Sequence, residues 1–330
     1  MTARLRSCAE HWRQASGLSD EELERTLRAD KLDIIVELTG HSDHHRLTVL
    51  ARRVAPIQVT YLGYPNTTGV PAIDYRITDA RADPPGESDR LHVEKLVRLP
   101  ETFLCYSPPT VKLETSAAPV HRNGHVTFAS FNNFAKLSPL TIRLWSRVLA
   151  SAPNSRLLIK TRGLQDPGLR ALLLERFLKQ GVDGDRIKLM PPILDQREHL
   201  QTYSQVDIAL DPFPYHGTTT TMEALWMGVP VVTLEGDRHA ARVGASILSC
   251  LGLDELVAHN EDEYVQTATR LAAPGSQLDV LRGSLRSRLS ESPLTDGARF
   301  TTDLEQAYFK MWEETLSRSG ASAQTRTIDE

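Results

Sequence analysis

The segment YHGTTTTMEALWMG, residues 215–228, places four consecutive threonines at what reads as the start of a helix. Threonine is β-branched and is a poor residue for a helix interior, so the run favours a role for its hydroxyls. The first N–H groups of a helix attract phosphate, and hydroxyls beside them can donate to the same oxygens. Gly217 would let the backbone turn close to a ligand. The alternative is that one threonine caps the helix and the others have no role.

A carboxylate follows on the same predicted helix. Glu223 falls one turn after Thr219 and therefore lies on the same face. It could accept hydrogen bonds from a ribose diol. Equally, an acidic residue in the first turns could only stabilise the helix dipole.

The segment FNNFAKLSP, residues 131–139, is a second candidate because it follows a predicted buried strand. Lys136 stands just before a helix start and could neutralise a diphosphate, while Asn132 and Asn133 could supply amide contacts. The alternative for Lys136 is an ordinary solvated surface lysine. A third segment, LDQREHL, holds His199, which could stack on a flat base or could be a surface histidine.

The cluster GHSDHHR, residues 40–46, is the one place that suggests a metal. Its candidate ligands match no common zinc spacing, and adjacent histidines cannot easily share one tetrahedral ion. We therefore predict no metal, and interpret the segment as a turn leading into a helix.

The elements that must position these residues alternate between strand and helix. In the first half LDIIVELTG, PIQVTYLGYP, DYRITDA and EKLVRLPETFLCY read as strands, and Ser19 with Glu22 forms a capping-box pattern that predicts a helix from Asp20. The second half repeats strand and helix more regularly and ends in a long amphipathic helix. Such alternation predicts an α/β fold with a parallel sheet in the first half and a doubly wound sheet in the second, and ligands of open sheets bind outside the carboxyl ends of the strands.

The composition predicts domain boundaries and argues against some classes of binding partner. A segment rich in Pro, Ser, Thr and Ala predicts a linker at residues 111–124, between domains at 1–110 and 125–316 and before a disordered tail at 317–330. The net charge of −4 gives no argument for binding nucleic acid or an anionic membrane. The three dispersed cysteines suggest reduced thiols, and the charged N-terminus lacks a signal-peptide core. We therefore expect a cytoplasmic protein.

Taken together, the motifs resemble a known family. Segments in the same order occur in the catalytic region of protein O-linked N-acetylglucosamine transferases, glycosyltransferase family 41, and the bacterial branch is most similar. The resemblance runs from about residue 15 to 316 and is carried by APIQVTYLGYPNTTG, DYRITD, FNNFAKLSP, REHL, VDIALDPFPYHGTTTTMEALWMGVPVVTLEGD and RVGASIL. It implies a GT-B fold of two Rossmann-like domains. The family's first β-α units and its tetratricopeptide repeats have no counterpart among these residues, so we expect an incomplete first domain.

The resemblance also implies a reaction. A sugar would pass from a UDP-sugar to a Ser or Thr hydroxyl of a protein, with inversion and without a metal or other cofactor. Two alternatives remain open: a truncated, non-catalytic UDP-sugar-binding module or remnant, and an enzyme that uses a related sugar donor. The histidines proposed as general base in the family lie upstream of these residues, so no base can be named.

The resemblance implies roles for individual residues. Lys136 matches the lysine that contacts the donor diphosphate, and Thr219 and Thr220 match threonines at the phosphate end of the helix. Thr218 replaces a histidine of the animal enzymes, and Asn133 replaces a glutamine. The remaining matches are Glu223 near the ribose, His199 beside the uracil, Leu194 where a backbone group reads the base, and Leu62, Gly63 and Pro65 at a first-domain turn that borders the sugar and acceptor pocket.

Overall fold

The protein was analysed as a computed structural model, which describes residues 2–326. The strands are β1 (Ile34–Glu37), β2 (Ile57–Thr60), β3 (Tyr75–Asp79), β4 (Lys95–Leu99), β5 (Val126–Ser130), β6 (Ser155–Lys160), β7 (Ile187–Met190), β8 (Ile208–Leu210), β9 (Val231–Leu234) and β10 (Val257–Ala258). The helices are α1 (Thr2–Ser7), α2 (Asp20–Asp30), α3 (Leu47–Leu50), α4 (Val120–Asn123), α5 (Pro139–Ser151), α6 (Pro167–Leu178), α7 (Gln196–Gln201), α8 (Thr219–Trp226), α9 (Val243–Cys250), α10 (Glu261–Ala272), α11 (Leu278–Ser290) and α12 (Gly297–Arg326).

The strands form two sheets. The first has four strands in the order β1-β2-β3-β4, and its β1–β2 and β2–β3 pairs are parallel. The second has six strands in the order β10-β9-β8-β5-β6-β7, and every neighbouring pair is parallel. The order reverses between β5 and β8, and a doubly wound sheet opens a ligand crevice at such a point. The prediction of an α/β fold is confirmed, and so is that of a doubly wound sheet in the second half, whereas the four strands of the first sheet follow their order in the chain.

Burial explains why the second sheet forms from these residues. All five residues of β5 and all four of β9 are buried, as expected for strands covered by helices on both faces. Helix α5 begins where Ser138 accepts a hydrogen bond from the Thr141 N–H and Pro139 occupies the first turn. Its buried face carries Trp145, which is fully inaccessible to solvent.

Contacts divide the chain into two compact units. One comprises Met1–Ile77, His92–Val97 and Ala307–Glu330, and the other comprises Thr78–Leu91 and Arg98–Gln306. This division differs from the predicted boundary at residue 110, and it places the predicted linker 111–124 in the second unit. The end of β3 belongs there because the Asp79 carboxylate accepts hydrogen bonds from the Ser246 hydroxyl at 2.7 Å and the Phe103 N–H at 3.1 Å.

Of the predictions about where helices begin and end, one is confirmed and two differ from the structure. The capping box is confirmed, because the Ser19 hydroxyl accepts from the Glu22 N–H and the Glu22 carboxylate accepts from the Ser19 N–H. The helix expected after residue 44 is only the four-residue α3. A disordered tail was predicted from residue 317, but α12 continues to Arg326, since no proline interrupts it; residues 327–330 lie outside the described residues.

No helix between residues 2 and 326 has the length and apolar character to cross a membrane.

A buried hydrogen-bond chain joins the helical layer to the end of β8. The Trp145 Nε1–H donates to the Tyr264 hydroxyl at 3.1 Å, and that hydroxyl donates to the Asp211 carbonyl at 2.9 Å. All three residues are buried, so α5 and α10 hold the segment that follows β8 through polar contacts from which water is excluded.

We predict that Tyr264→Phe leaves both the Trp145 N–H and the Asp211 carbonyl without their partner in the interior. The free energy of unfolding should fall by about 2–4 kcal/mol, because each stranded group loses its hydration without compensation. Urea unfolding of the wild type and the variant measures the difference. A change below about 0.5 kcal/mol, the size typical of neutral surface substitutions, would contradict this account of the chain.

Candidate functional site

The turn after β8 is held by a buried carboxylate. Asp211 Oδ1 accepts a hydrogen bond from the Gly217 N–H at 2.7 Å, and Oδ2 accepts from the Thr233 hydroxyl at 2.9 Å. Gly217 is required sterically, because a Cβ there would lie 2.5 Å from Thr220 Oγ1 and 2.8 Å from Thr221 Oγ1. The carboxylate therefore fixes the backbone immediately before α8 in a close turn.

A buried histidine supports the same turn. His216 Nε2 donates to the Leu234 carbonyl at 2.9 Å, and Nδ1 accepts from the Gly244 N–H at 3.0 Å, which assigns a neutral imidazole. Burial lowers the pKa of His216, and burial raises the pKa of Asp211, whose Oδ2 lies 3.7 Å from His216 Nδ1. The backbone ahead of α8 thus rests on a polar interior that water does not reach.

The four threonines occupy different environments. Thr218 stands at the N-cap of α8, yet its side chain makes no capping hydrogen bond, so the simple capping alternative is wrong for this residue. Thr219 is exposed, and Thr221 is buried. Thr220 Oγ1 donates to Asn132 Oδ1 at 3.0 Å, which joins the start of α8 to the segment after β5.

Lys136 reaches the same helix entrance from the neighbouring strand. Its Nζ donates to the His216 carbonyl at 2.5 Å and lies 4.0 Å from the centroid of the Tyr215 ring. Burial lowers the pKa of Lys136, and the Asp211 carboxylate opposes that shift. The Lys136 ammonium is therefore held at the His216 carbonyl, shortly before Thr218. This position lies where the strand order reverses between β5 and β8.

The start of α5 locks these two segments together. The Ser138 and Thr141 hydroxyls both donate to the Phe213 carbonyl at 2.7 Å, and Thr141 Oγ1 accepts from the Phe213 N–H at 3.1 Å. Because Ser138 follows Lys136 closely in sequence, these bonds fix the lysine loop against the turn that opens α8.

A second polar group lies farther along α8. The Glu223 carboxylate Oε2 lies 2.9 Å from His199 Nε2, and the Lys160 ammonium lies 2.9 Å from His199 Nδ1. Burial lowers the pKa of Lys160 to about 8, against the attraction of Glu223. The end of β6 and residues within α7 and α8 therefore meet at one imidazole.

Two of the predicted residues, Asn133 and Leu194, are exposed. The Asn133 side chain is exposed and accepts a hydrogen bond from the Ala135 N–H at 3.0 Å, so it caps the short 3₁₀ turn at Phe134–Lys136. The amide that reaches the threonines belongs instead to Asn132. Leu194 precedes the N-cap of α7 with 93% of its surface exposed. Its role in reading a base stays a prediction.

The remaining predicted residues belong to the first compact unit. Leu62 has a φ of 65°, in the left-handed region, and the Gly63 N–H donates to the Tyr61 carbonyl at 2.8 Å. A Cβ at Gly63 would lie 1.8 Å from the Leu38 carbonyl oxygen, so only glycine fits this turn, and Pro65 follows it. Among residues 2–326, no group of three or more His, Cys, Asp or Glu side chains could hold a metal ion.

The buried residues that hold the site in position were not predicted from the sequence. Lys160 ends β6 and Asp211 directly follows β8, so a charged residue at the carboxyl end of a buried strand was the available signal for these two. His216 lies farther along the turn after β8 and carries no such signal. Their partners lie far away in sequence, and spacing alone does not identify them.

Comparison with known proteins gives a consistent result. The sequence profile of glycosyl transferase family 41 matches residues 3–107 and 107–304. The solved structure of a Thermobaculum terrenum O-GlcNAc transferase mutant is similar with a TM-score of 0.90 and 40% identity, over 96% of this chain and 60% of that one. A Thermosynechococcus elongatus sucrose-phosphate synthase, at 15% identity and a TM-score of 0.59, shares the fold alone.

Curated relatives agree with the structural match. SPINDLY of Solanum lycopersicum, a probable UDP-N-acetylglucosamine–peptide N-acetylglucosaminyltransferase, is 50% identical over 301 residues, 91% of this chain and 32% of that protein. SEC of Arabidopsis thaliana, which carries the same description, is 32% identical over 94% of this chain and 32% of that protein. The chain thus spans about a third of the length of these relatives. With the structural neighbours, these matches confirm the GT-B type of fold.

We predict that Gly217→Ala disrupts the entrance to α8, because its Cβ would overlap the threonine hydroxyls. The free energy of unfolding should fall by about 1–3 kcal/mol, as for other overpacked interior sites. The matched control is Gly184→Ala, since a Cβ at Gly184 meets no atom within 4 Å. Urea unfolding should leave the control near the wild type, and equal losses in both variants would contradict the steric argument.

The buried Lys160 should make stability depend on pH. Its pKa is about 8 in the folded protein and about 10.4 in an unfolded chain, so the unfolded chain binds more protons between these values. The contribution of Lys160 to stability therefore rises with pH across this window and is least favourable below it. Relative to Lys160→Met, the wild type should gain free energy of unfolding from about pH 7 to about pH 10.

Urea unfolding of both proteins at the two pH values measures that gain, because all other titrating groups are common to both. A difference between wild type and variant that stays constant, or shrinks as pH rises, would contradict the burial of a charged Lys160.

Proposed function

Since this chain belongs to glycosyl transferase family 41, we propose that it transfers N-acetylglucosamine or a related sugar from a UDP-sugar to Ser or Thr hydroxyls of proteins. The transfer inverts the anomeric centre and needs no metal. The names of the relatives support donor and acceptor, and the activity of the whole protein is part of the proposal because the chain spans only a third of their length. The observation that carries it is the Lys136 ammonium at the entrance to α8.

The diphosphate of the donor binds at that entrance. The start of α8 carries a partial positive charge and N–H groups directed at an anion. The exposed Thr219 supplies a hydroxyl there, and Thr220 lies one residue further with its hydroxyl on Asn132. The close turn at Gly217 leads from the His216 carbonyl, which holds the Lys136 ammonium, to the first threonines of α8, and this arrangement supports binding of two phosphates.

The chemistry follows from the charge that develops. Cleavage of the glycosidic bond leaves negative charge on UDP, and the preorganised ammonium and helix entrance stabilise it without reorganisation. Because a bound diphosphate favours the charged form of a neighbouring amine, it offsets the lowering of the Lys136 pKa by burial. Lys136 is therefore the catalytic residue of this proposal.

The nucleoside extends along α8 towards Glu223 and His199. In this position the Glu223 carboxylate accepts from the ribose, the His199 ring lies beside the uracil, and backbone groups near Leu194 read its edge. The role of Leu62, Gly63 and Pro65 at the sugar and acceptor pocket stays a prediction from the family resemblance. The three cysteines form no disulfide, which is compatible with the cytoplasmic location that we include in the proposal.

We predict that Lys136→Ala weakens UDP binding and lowers the rate of sugar transfer by about a hundredfold or more, the usual cost of one preorganised contact to developing charge. Calorimetric titration with UDP measures binding, and UDP release from UDP-N-acetylglucosamine with a Ser/Thr peptide measures turnover. Lys188→Ala is the control, because Lys188 is an exposed lysine on β7.

Wild-type turnover in Lys136→Ala would remove the lysine from the mechanism. Binding of UDP by the wild type without any transfer would favour the non-catalytic module, and absence of UDP binding would contradict the proposed function as a whole.

A further inference from the structure

We propose that Lys160 is a positioning residue for His199, which fixes the tautomer and the orientation of the imidazole that lies beside the nucleotide base. This inference rests on the proposed function for the identity of the ligand. It concerns a lysine that touches neither the diphosphate entrance nor the reacting atoms in that proposal.

The Lys160 ammonium is engaged in three directions. Its Nζ lies 2.9 Å from His199 Nδ1 and donates to the His199 carbonyl at 3.2 Å. The third contact is with the Phe131 ring, whose centroid lies 4.0 Å from Lys160 Nζ. Lys160 ends β6 with only 3% of its surface exposed. A buried ammonium is costly unless it is paired, and here most of the pairing goes to one residue.

These contacts determine where the His199 proton lies. Lysine has donors only, so Nδ1 of His199 must accept and carries no proton. The proton is therefore on Nε2, which donates to Glu223 Oε2 at 2.9 Å. A neutral imidazole thus stands between an ammonium and a carboxylate. The other tautomer would place an N–H against the ammonium and a bare nitrogen against the carboxylate, and a flip of the ring would replace both nitrogens at these contacts by C–H groups.

Aromatic neighbours restrict the ring further. The Tyr203 ring is perpendicular to it at 6.0 Å, and the Phe131 ring is tilted by 60° at 6.3 Å. The His199 side chain nevertheless keeps 23% of its surface exposed. Because both nitrogens are already bonded, the accessible part of the ring offers a flat surface for stacking rather than a hydrogen bond to the base.

Nitrogen NMR of histidine-labelled protein tests the tautomer without any ligand. His199→Gln identifies the His199 signals among those of the 11 histidines. In the wild type we expect one protonated Nε2 and one bare Nδ1. In Lys160→Met, a form with a proton on Nδ1 should appear, whereas Lys160→Gln should retain the wild-type pattern because its amide can still donate. Lys188→Met, on the adjacent strand β7, should change nothing.

UDP titration tests whether this positioning serves the nucleotide. Lys160→Met should bind UDP about tenfold more weakly, and Lys160→Gln within about threefold of the wild type, since a charge-assisted bond is lost in the first and replaced in the second. Inorganic pyrophosphate, which would contact only the Lys136 end, should bind all variants within about twofold, the change expected of an untouched site.

An unchanged His199 spectrum in Lys160→Met, or unchanged UDP affinity, would overturn the inference. Should Lys160→Met not fold, Lys160→Gln decides: the wild-type spectrum and near-wild-type affinity support the donor role, and a lost tautomer overturns it. If the wild type binds no UDP, the proposed function fails, while the spectra still decide whether Lys160 sets the state of His199.

Discussion

The site depends on one contact, the Lys136 ammonium against the backbone carbonyl of His216. That carbonyl belongs to a turn whose N–H groups and side chains are tied to Asp211, Leu234 and Gly244 in the buried interior. The carbonyl that holds the cation is therefore fixed within the turn that opens α8. In the proposed reaction this coupling matters, because stabilisation of a developing charge is effective only when its donors are in place beforehand.

The sheet topology explains why residues from distant segments meet there. Strands β5 and β8 are neighbours although 76 residues, 131–206, lie between Ser130 and Asp207, the residue before β8. Parallel strands direct their carboxyl ends to one edge, so the lysine segment after β5 and the threonine segment after β8 emerge together. Strand β6 ends at the same edge and delivers Lys160 to His199. One edge of one sheet thus supplies both halves of the proposed nucleotide site.

Several of these features could be predicted from the sequence. The alternation of apolar strands and helices was sufficient for the fold class, and the capping box of α2 was visible from Ser19 and Glu22. The approach of Lys136 to the turn before α8 could be expected because both segments follow buried strands. These signals are local, or they depend on a general property of parallel sheets.

Other features depend on tertiary contacts that no local pattern encodes. Asn132, rather than Asn133, reaches Thr220, because the choice between adjacent amides depends on the rotation of the chain after β5. The pairing of His199 with Glu223 joins two helices whose relative position follows only from packing. The division of the chain within β3 likewise reflects contacts of Asp79 with residues far along the chain.

The most direct test of the central claim is a crystal structure of this chain with UDP bound. The account predicts phosphate oxygens within hydrogen-bonding distance, about 3 Å, of Lys136 Nζ and of the first groups of α8. A diphosphate found at any other place on the protein, with Lys136 still bonded only to the His216 carbonyl, would contradict it.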